Sequence, residues 1–214
     1  MSVFSSIDRR ILAIALPSIV SNITVPLLGL VDVAVTGHMG ADGDTVGALP
    51  ASYYVGAIAV GGMLFNIIYW MFGFLRMGTG GETAQAWGRR DLDGVVLLLV
   101  RSLLLALVLA LVLMALSPLV RDGALWYIAP EAEVASLART YFNICIWGAV
   151  PALGLFAMNG WYIGMQNSRF PMIVAIGQNL LNIACSIFFV YALGMRIEGV
   201  ALGTLLAQWV AFII

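Results

Sequence analysis

Among the eleven acidic residues of this 214-residue chain, one stands apart by where it falls. Asp8, Glu82, Asp91 and Asp93 lie toward one end of the apolar runs, and Asp42, Asp44, Asp122, Glu131, Glu133 and Glu198 toward the other. Only Asp32 lies within such a run. A carboxylate at membrane depth costs about 2.5–3.5 kcal/mol to insert, so residues of this kind face a bundle interior or a water-filled cavity. The chemistry open to it is proton exchange or cation binding. Ser18, Asn22, Val25, Gly29, Asp32 and Thr36 recur in alternating steps of four and three, which puts them on one small or polar helical stripe. Ile19, Ile23, Leu27, Leu30 and Val31 form the apolar remainder. Two prolines interrupt the same segment. Pro17 frees the carbonyl of Ala13 and Pro26 that of Asn22, and each invites a bend. A weakened helix beside a titratable group offers a way to convert protonation into a change of shape.

A second set of polar residues lies near the C-terminal end. Gln178, Asn182 and Ser186 are spaced by four, with Asn179 beside them, in a segment otherwise built of Ile, Leu, Phe and Val. Thr204 and Gln208 are again four apart, and Tyr141, Asn143 and Asn159 occupy a third apolar segment. Taken singly, such groups join helices by hydrogen bonds worth about 0.6 kcal/mol each. Their recurrence on several segments points to a shared hydrated cavity.

Other chemistries find little support. The single histidine, His38, lies at the end of an apolar run, and Asp32 has no acidic partner in any run, so neither a Ser–His pair nor an aspartate dyad is available for catalysis. The chain is expected not to be an enzyme. Cys145 and Cys185 are far from metal-ligand spacing and read as buried small hydrophobes, so no metal site and no disulfide is expected. Gly78, Gly80 and Gly81 lack the Lys-Ser/Thr pair of a phosphate loop. Gly160-x-x-x-Gly164 and Gly199-x-x-x-Gly203 read as helix-packing pairs.

The elements that must position these residues follow from composition. Hydrophobic residues make up 62% of the chain and charged ones 10%, with a mean hydropathy of +1.02. A water-soluble domain carries about 25% charged residues. With a net charge of −1 and no lysine, the chain has no basic face for nucleic acid. The expected fold is all-α: a polytopic membrane protein with a six-transmembrane-helix bundle. Its spans are expected at about 11–36, 45–75, 94–120, 137–164, 170–194 and 197–214. Turn signals separate them at Gly37 to Asp44, Gly88 to Asp93, Arg121 to Pro130, Gln166 to Pro171 and Gly194 to Gly199. Arginines orient the bundle. With the N-terminus in the cytoplasm, Arg9, Arg10, Arg76, Arg89, Arg90 and Arg169 fall in inner loops, with Arg101 reaching toward them, against Arg121, Arg139 and Arg196 outside.

The stretch Ser21-Asn-Ile-Thr-Val-Pro-Leu-Leu-Gly-Leu-Val-Asp32, followed by Thr36-Gly-His38, resembles the first helix of the multidrug and toxic compound extrusion (MATE) transporters, in particular their DinF-like branch. Phe74-Leu-Arg-Met-Gly-Thr79, Ala84-Gln-Ala-Trp-Gly88 and Asn179-Leu-Leu-Asn182 are similar to that branch as well. The resemblance implies the N-terminal lobe of a twelve-helix antiporter with two six-helix lobes, expelling amphipathic, often cationic compounds in exchange for protons or sodium. It also implies that Asp32 is the proton or cation coupling site of the lobe, with Asn182 and Thr204 as its partners. Tyr141 and Asn159 then become cavity neighbours, and Pro17 the site of the first-helix bend.

The family commonly carries Asn-x-x-x-Asp in the fifth helix, whereas Asn182 is followed at that spacing by Ser186. One carboxylate with amide and hydroxyl oxygens is a weak sodium site, at Asp32, Asn182 and Thr204, while a proton needs only Asp32. Proton coupling is therefore the favoured expectation, with sodium the alternative, and no cofactor is implied beyond the coupling ion. The remaining polar residues, Asn22, Gln178 and Asn179, are expected to line the cavity with Tyr141 and Asn159, and Pro26 to share in the bend. The expected surroundings are the lipid bilayer of a bacterial inner membrane and small amphipathic substrates. The last run stops about 18 residues in, at Ile214, without a flanking charge, aromatic anchor or turn, so a C-terminal lobe is expected to belong with this one. The competing readings are a six-helix half-transporter that pairs with a second copy, and a non-transporting membrane scaffold.

Overall fold

A computed structural model of the chain describes residues 12, 15–17, 19, 30–31, 33–37 and 49–214. The described residues of the first expected span are helical, including Pro17. Seven α-helices follow: α1 (Ala51–Met71), α2 (Gly73–Gly88), α3 (Leu92–Ile128), α4 (Ala132–Cys145), α5 (Ala149–Gly164), α6 (Arg169–Ile187) and α7 (Ile197–Ile213). A 3-10 turn (Ile146–Gly148) joins α4 to α5, and a π-helical segment (Phe188–Ala192) extends α6. No strand occurs among the described residues. Four runs are long and apolar enough to cross a membrane: Ala51–Gly88, Leu92–Ile128, Ala132–Gly164 and Arg169–Ala192. Helix α7 is apolar but only 17 residues long.

Several helix ends differ from those expected, each for a local reason. The second span continues past residue 75 to Gly88, so Arg76 is helical and not in a loop. Its 38 residues extend about 57 Å, well beyond a hydrocarbon core of about 30 Å. The glycines that read as a loop are tolerated because one face of α2 lies directly on α5. A Cβ placed on Gly80 would sit 3.2 Å from the Gly160 carbonyl oxygen, and one on Gly164 would sit 2.7 Å from the Gly80 oxygen. Each mid-helix glycine costs about 1 kcal/mol relative to alanine, and the close backbone approach offsets it.

The third span continues past residue 120 to Ile128, with Pro118 inside it. Proline leaves the Met114 carbonyl without its backbone donor. The Ser117 hydroxyl donates to that carbonyl at 2.7 Å, so the helix need not break. It ends where Ala129 adopts the left-handed conformation at φ 46° and its N–H bonds the Leu125 carbonyl. The turn from α2 to α3 uses the same device at Arg90, φ 59°, and the Asp91 carboxylate then accepts from the Gly94 N–H at 2.9 Å as N-cap.

The fourth span starts at Ala132, five residues before the expected 137, and is divided by the 3-10 turn. Buried Pro151 stands at the third position of α5, in the first turn, where an amide hydrogen is not needed. A proline there lets the helix restart after a break without losing a bond. At the center of the bundle, α7 presents fully buried Ile197, Val200 and Ala201 toward α4 and α6, and the Cys145 thiol lies 3.8 Å from the Ala201 carbonyl. The other half of the core is aromatic. Phe65 of α1 stacks on Phe142 of α4 with centroids 4.9 Å apart, and Tyr69 stacks on Phe65 at 5.7 Å.

Candidate transport site

The polar residues of α6 and α7 meet. Asn182 is 2% exposed and Ser186 fully buried. The Asn182 Nδ2 donates to Thr204 Oγ1 at 2.9 Å, Thr204 Oγ1 donates to the Val200 carbonyl at 3.1 Å, and Ser186 Oγ reaches Asn182 Oδ1 at 3.4 Å. Spacing explains the geometry. Asn182 and Ser186 stand one turn apart on the face of α6 that meets α7, and Gly203, next to Thr204, makes room for them. A Cβ on Gly203 would lie 2.5 Å from Ser186 Oγ and 2.9 Å from the Ser186 nitrogen. Gly199 does the same for the π-helical segment, where a Cβ would lie 3.1 Å from that of Phe189. The small-residue pair therefore lets two amphipathic faces approach until amide and hydroxyl groups bond each other, away from lipid. Such an array can orient an amide oxygen or a hydroxyl toward a carboxylate or a small cation. Being neutral, it supplies no charge of its own.

The remaining expected residues separate into three groups. Asp32, Asn22 and Pro26 lie outside the described residues, so nothing is said of their surroundings. Gln178 and Asn179 are half-buried on α6, one turn before Asn182, and Asn159 is half-buried on α5. No hydrogen bond joins Gln178 or Asn159 to the Asn182 group among the described residues. Tyr141 is 7% exposed, with its ring edge toward Phe65 at 6.4 Å and its body against Gly61, where a Cβ would lie 2.5 Å from Cδ1. Its described ring contacts thus place it in the α1–α4 packing. Gln208, paired with Thr204 by spacing, points elsewhere. Its Oε1 is buried against Gly148, at the 3-10 turn, with no hydrogen-bond partner among the described residues.

The structure also contains a groove that the residue pattern did not single out. It has a volume of about 1310 Å³ and lies between the α1–α2 run and α5. Trp70, Phe74, Met77, Tyr69, Phe156 and Arg76 are among its lining residues. The signal for it was present. Met63, Ile67, Trp70, Phe74 and Met77 follow the same alternation of four and three as the first-span stripe, yet all five are exposed. None of Tyr141, Asn159, Gln178 and Asn179 is among its described lining residues.

Apolar helices of membrane-crossing length, glycine-mediated crossings and an amide–hydroxyl cluster between α6 and α7 define a polytopic helical membrane protein. The MatE family model matches residues 17–188, and the chain belongs to that family. Over 214 residues it is 36% identical to DNA damage-inducible protein F of Escherichia coli (strain K12), covering 100% of this chain and 44% of that protein. It is 27% identical over 201 residues to multidrug and toxin extrusion protein 2 of Mus musculus, covering 93% of this chain and 33% of the relative. The chain thus spans less than half the length of these relatives. A solved structure described as the outward-facing conformation of a multidrug resistance MATE family transporter superposes with a TM-score of 0.82 at 23% identity. That match covers 95% of this chain and 43% of the other. Members of the family are transporters, and the enzyme reading falls with that membership.

Proposed function

We propose that this chain forms the N-terminal lobe of a secondary active multidrug efflux antiporter, which exchanges amphipathic, often cationic compounds for protons. In this reading Asp32 is the coupling carboxylate, and Asn182, Thr204 and Ser186 form the polar wall that receives it. The observation that carries the reading is the Asn182–Thr204 hydrogen bond at 2.9 Å, between two predominantly apolar helices. Hydrogen-bonded polar groups at membrane depth mark ion and substrate pathways.

The same geometry favours a proton over sodium. Thr204 Oγ1 already accepts from Asn182 and donates to Val200, and Asn182 Oδ1 faces Ser186 Oγ. The oxygens of this cluster are thus partly engaged with one another. A sodium ion favours several oxygen ligands with compensating charge, and Asp32 is the one carboxylate this reading offers it, whereas a proton requires one titrating group. Pro17 and Pro26 give the first span the bend by which protonation is transmitted. The lobe works in a bacterial inner membrane with its N-terminus in the cytoplasm, beside a second six-helix lobe. Efflux of a fluorescent cation from proteoliposomes carrying the full-length protein tests the coupling. Accumulation driven by an imposed pH gradient is expected, with no response to a sodium gradient of equal size. Flux that follows the sodium gradient instead refutes proton coupling, and the absence of any flux from folded protein supports the scaffold reading.

A further inference from the structure

The groove beside α5 has walls and a charge that the coupling cluster does not use. Gly73, Gly80 and Gly81 line it without side chains, and Gly80 lies against Gly160, where an added Cβ would be 3.2 Å from the Gly160 carbonyl oxygen. Trp70 and Met77 are 84% and 81% exposed, a large apolar area with no partner among the described residues. At about 1310 Å³ the groove exceeds the roughly 300–1,000 Å³ typical of small-molecule pockets, so it has room for a drug-sized compound. Arg76 is the only charged residue, and there is no carboxylate, among its described lining residues. Arg121 and Arg139 pair with Asp122, at 2.9 and 3.5 Å, and Arg196 bonds the Tyr54 hydroxyl at 3.2 Å. Arg76 has no such partner among the described residues.

Its depth gives the charge a direction. Thr79, less than a turn further along α2, bonds Ser102 of the antiparallel α3 at 3.0 Å, so Arg76 lies near the level of Leu105. From there to Gly88 the helix runs about 18 Å, and Trp70 lies about 9 Å the other way. A molecule seated here meets a guanidinium at one end and aromatic and thioether surface along its body. A cationic amphipath gains from the rings but is repelled by Arg76. An acidic one gains from both, since a guanidinium holds a carboxylate or sulfonate through paired N–H donors.

We propose that this groove binds free amphipathic acids, with a carboxylate or sulfonate on Arg76 and the apolar body along Trp70, Phe74 and Met77. The inference rests on the transporter reading for its biological use and extends the substrate class from cations to acids. It concerns binding alone, so it can fail while proton-driven efflux of cations stands, and the reverse also holds.

The test is equilibrium binding to the full-length protein in nanodiscs of zwitterionic lipid, with no gradient. The probes are a dansyl-labelled alkyl carboxylate and the matching dansyl-labelled alkylamine, read by fluorescence. The carboxylate is expected to bind more tightly than the amine. R76Q is expected to weaken the carboxylate about tenfold and leave the amine unchanged or tighter. R76K is expected to retain part of the carboxylate affinity. W70A should weaken both probes, which separates the apolar wall from the charge. Equal loss of both probes in R76Q, with R76K no better, would show that Arg76 only supports the helix, and overturns the proposal. So does an unchanged carboxylate affinity in R76Q. Nanodiscs containing phosphatidylglycerol provide a third arm. Displacement of the carboxylate probe by that lipid identifies a headgroup site and overturns the assignment to free acids, whereas undiminished binding supports it.

Discussion

Asn182 makes the residue-scale case most clearly, because its amide serves two neighbours with opposite needs. Nδ2 donates to Thr204 and Oδ1 faces Ser186, so truncation removes one donor from Thr204, which keeps its bond to Val200, and the acceptor facing Ser186. Asn182→Ala is therefore expected to cost about 1 kcal/mol, near the upper range for polar contacts in membrane bundles. That loss lowers the thermal midpoint in detergent by a few degrees, while proton-driven efflux falls much further. A large drop in midpoint with efflux preserved would make the cluster structural. Ser186→Asp carries the complementary expectation. It places a carboxylate one turn from Asn182, where the chain has a hydroxyl, and should give efflux a sodium dependence that the parent lacks. Sodium-insensitive efflux from a folded Ser186→Asp protein would contradict the ion argument. These residues were legible in the sequence because their spacing of four survives in the helix. Gln208 was not, since spacing alone could not reveal that its side chain turns to the 3-10 turn at Gly148.

Helices here are shaped by compensation at particular positions. Gly160 lies so close to α2 that an added Cβ would meet the Arg76 carbonyl and lie 3.1 Å from the Gly80 nitrogen, both backbone atoms that cannot step aside. Gly160→Ala should cost about 1–3 kcal/mol. Gly177→Ala, where nothing lies within 4 Å, should be neutral or stabilising by up to about 1 kcal/mol. Thermal midpoints of the two variants check this, and equal effects would remove the crossing from the account. In α3, Ser117→Ala strands the carbonyl of Met114 and should cost about 1–3 kcal/mol. Adding Pro118→Ala restores the backbone donor and should recover most of that loss, again read by thermal midpoint. The same two places mark where sequence reasoning about boundaries failed. Gly78 to Gly81 and the region after Pro118 carry the residues of loops, but a crossing helix and a serine hydroxyl make helix possible there. Neither partner is visible in a local window.

For the molecule as a whole, the apolar runs were legible because period and composition need no tertiary information. Four of them recur as helices of membrane-crossing length. The stripe of Met63, Ile67, Trp70, Phe74 and Met77 was visible in the sequence, but it has the pattern of a buried face and only the fold leaves it exposed, with its last four residues lining the groove. The proposed orientation, with the N-terminus in the cytoplasm, rests on arginine placement. In a background lacking Cys145 and Cys185, a cysteine at Arg90 should be labelled by an impermeant maleimide only from the cytoplasmic side, and one at Glu131 only from the opposite side. Reversed labelling would invert the topology. The central claim is that one carboxylate in the first span, received by the Asn182–Thr204 pair, couples this lobe to the proton gradient. The most direct measurement is proton-driven efflux by Asp32→Asn in proteoliposomes, at membrane levels equal to the parent. Loss of gradient-driven efflux with the protein still folded and inserted is the predicted result, and efflux at the parental rate would contradict it.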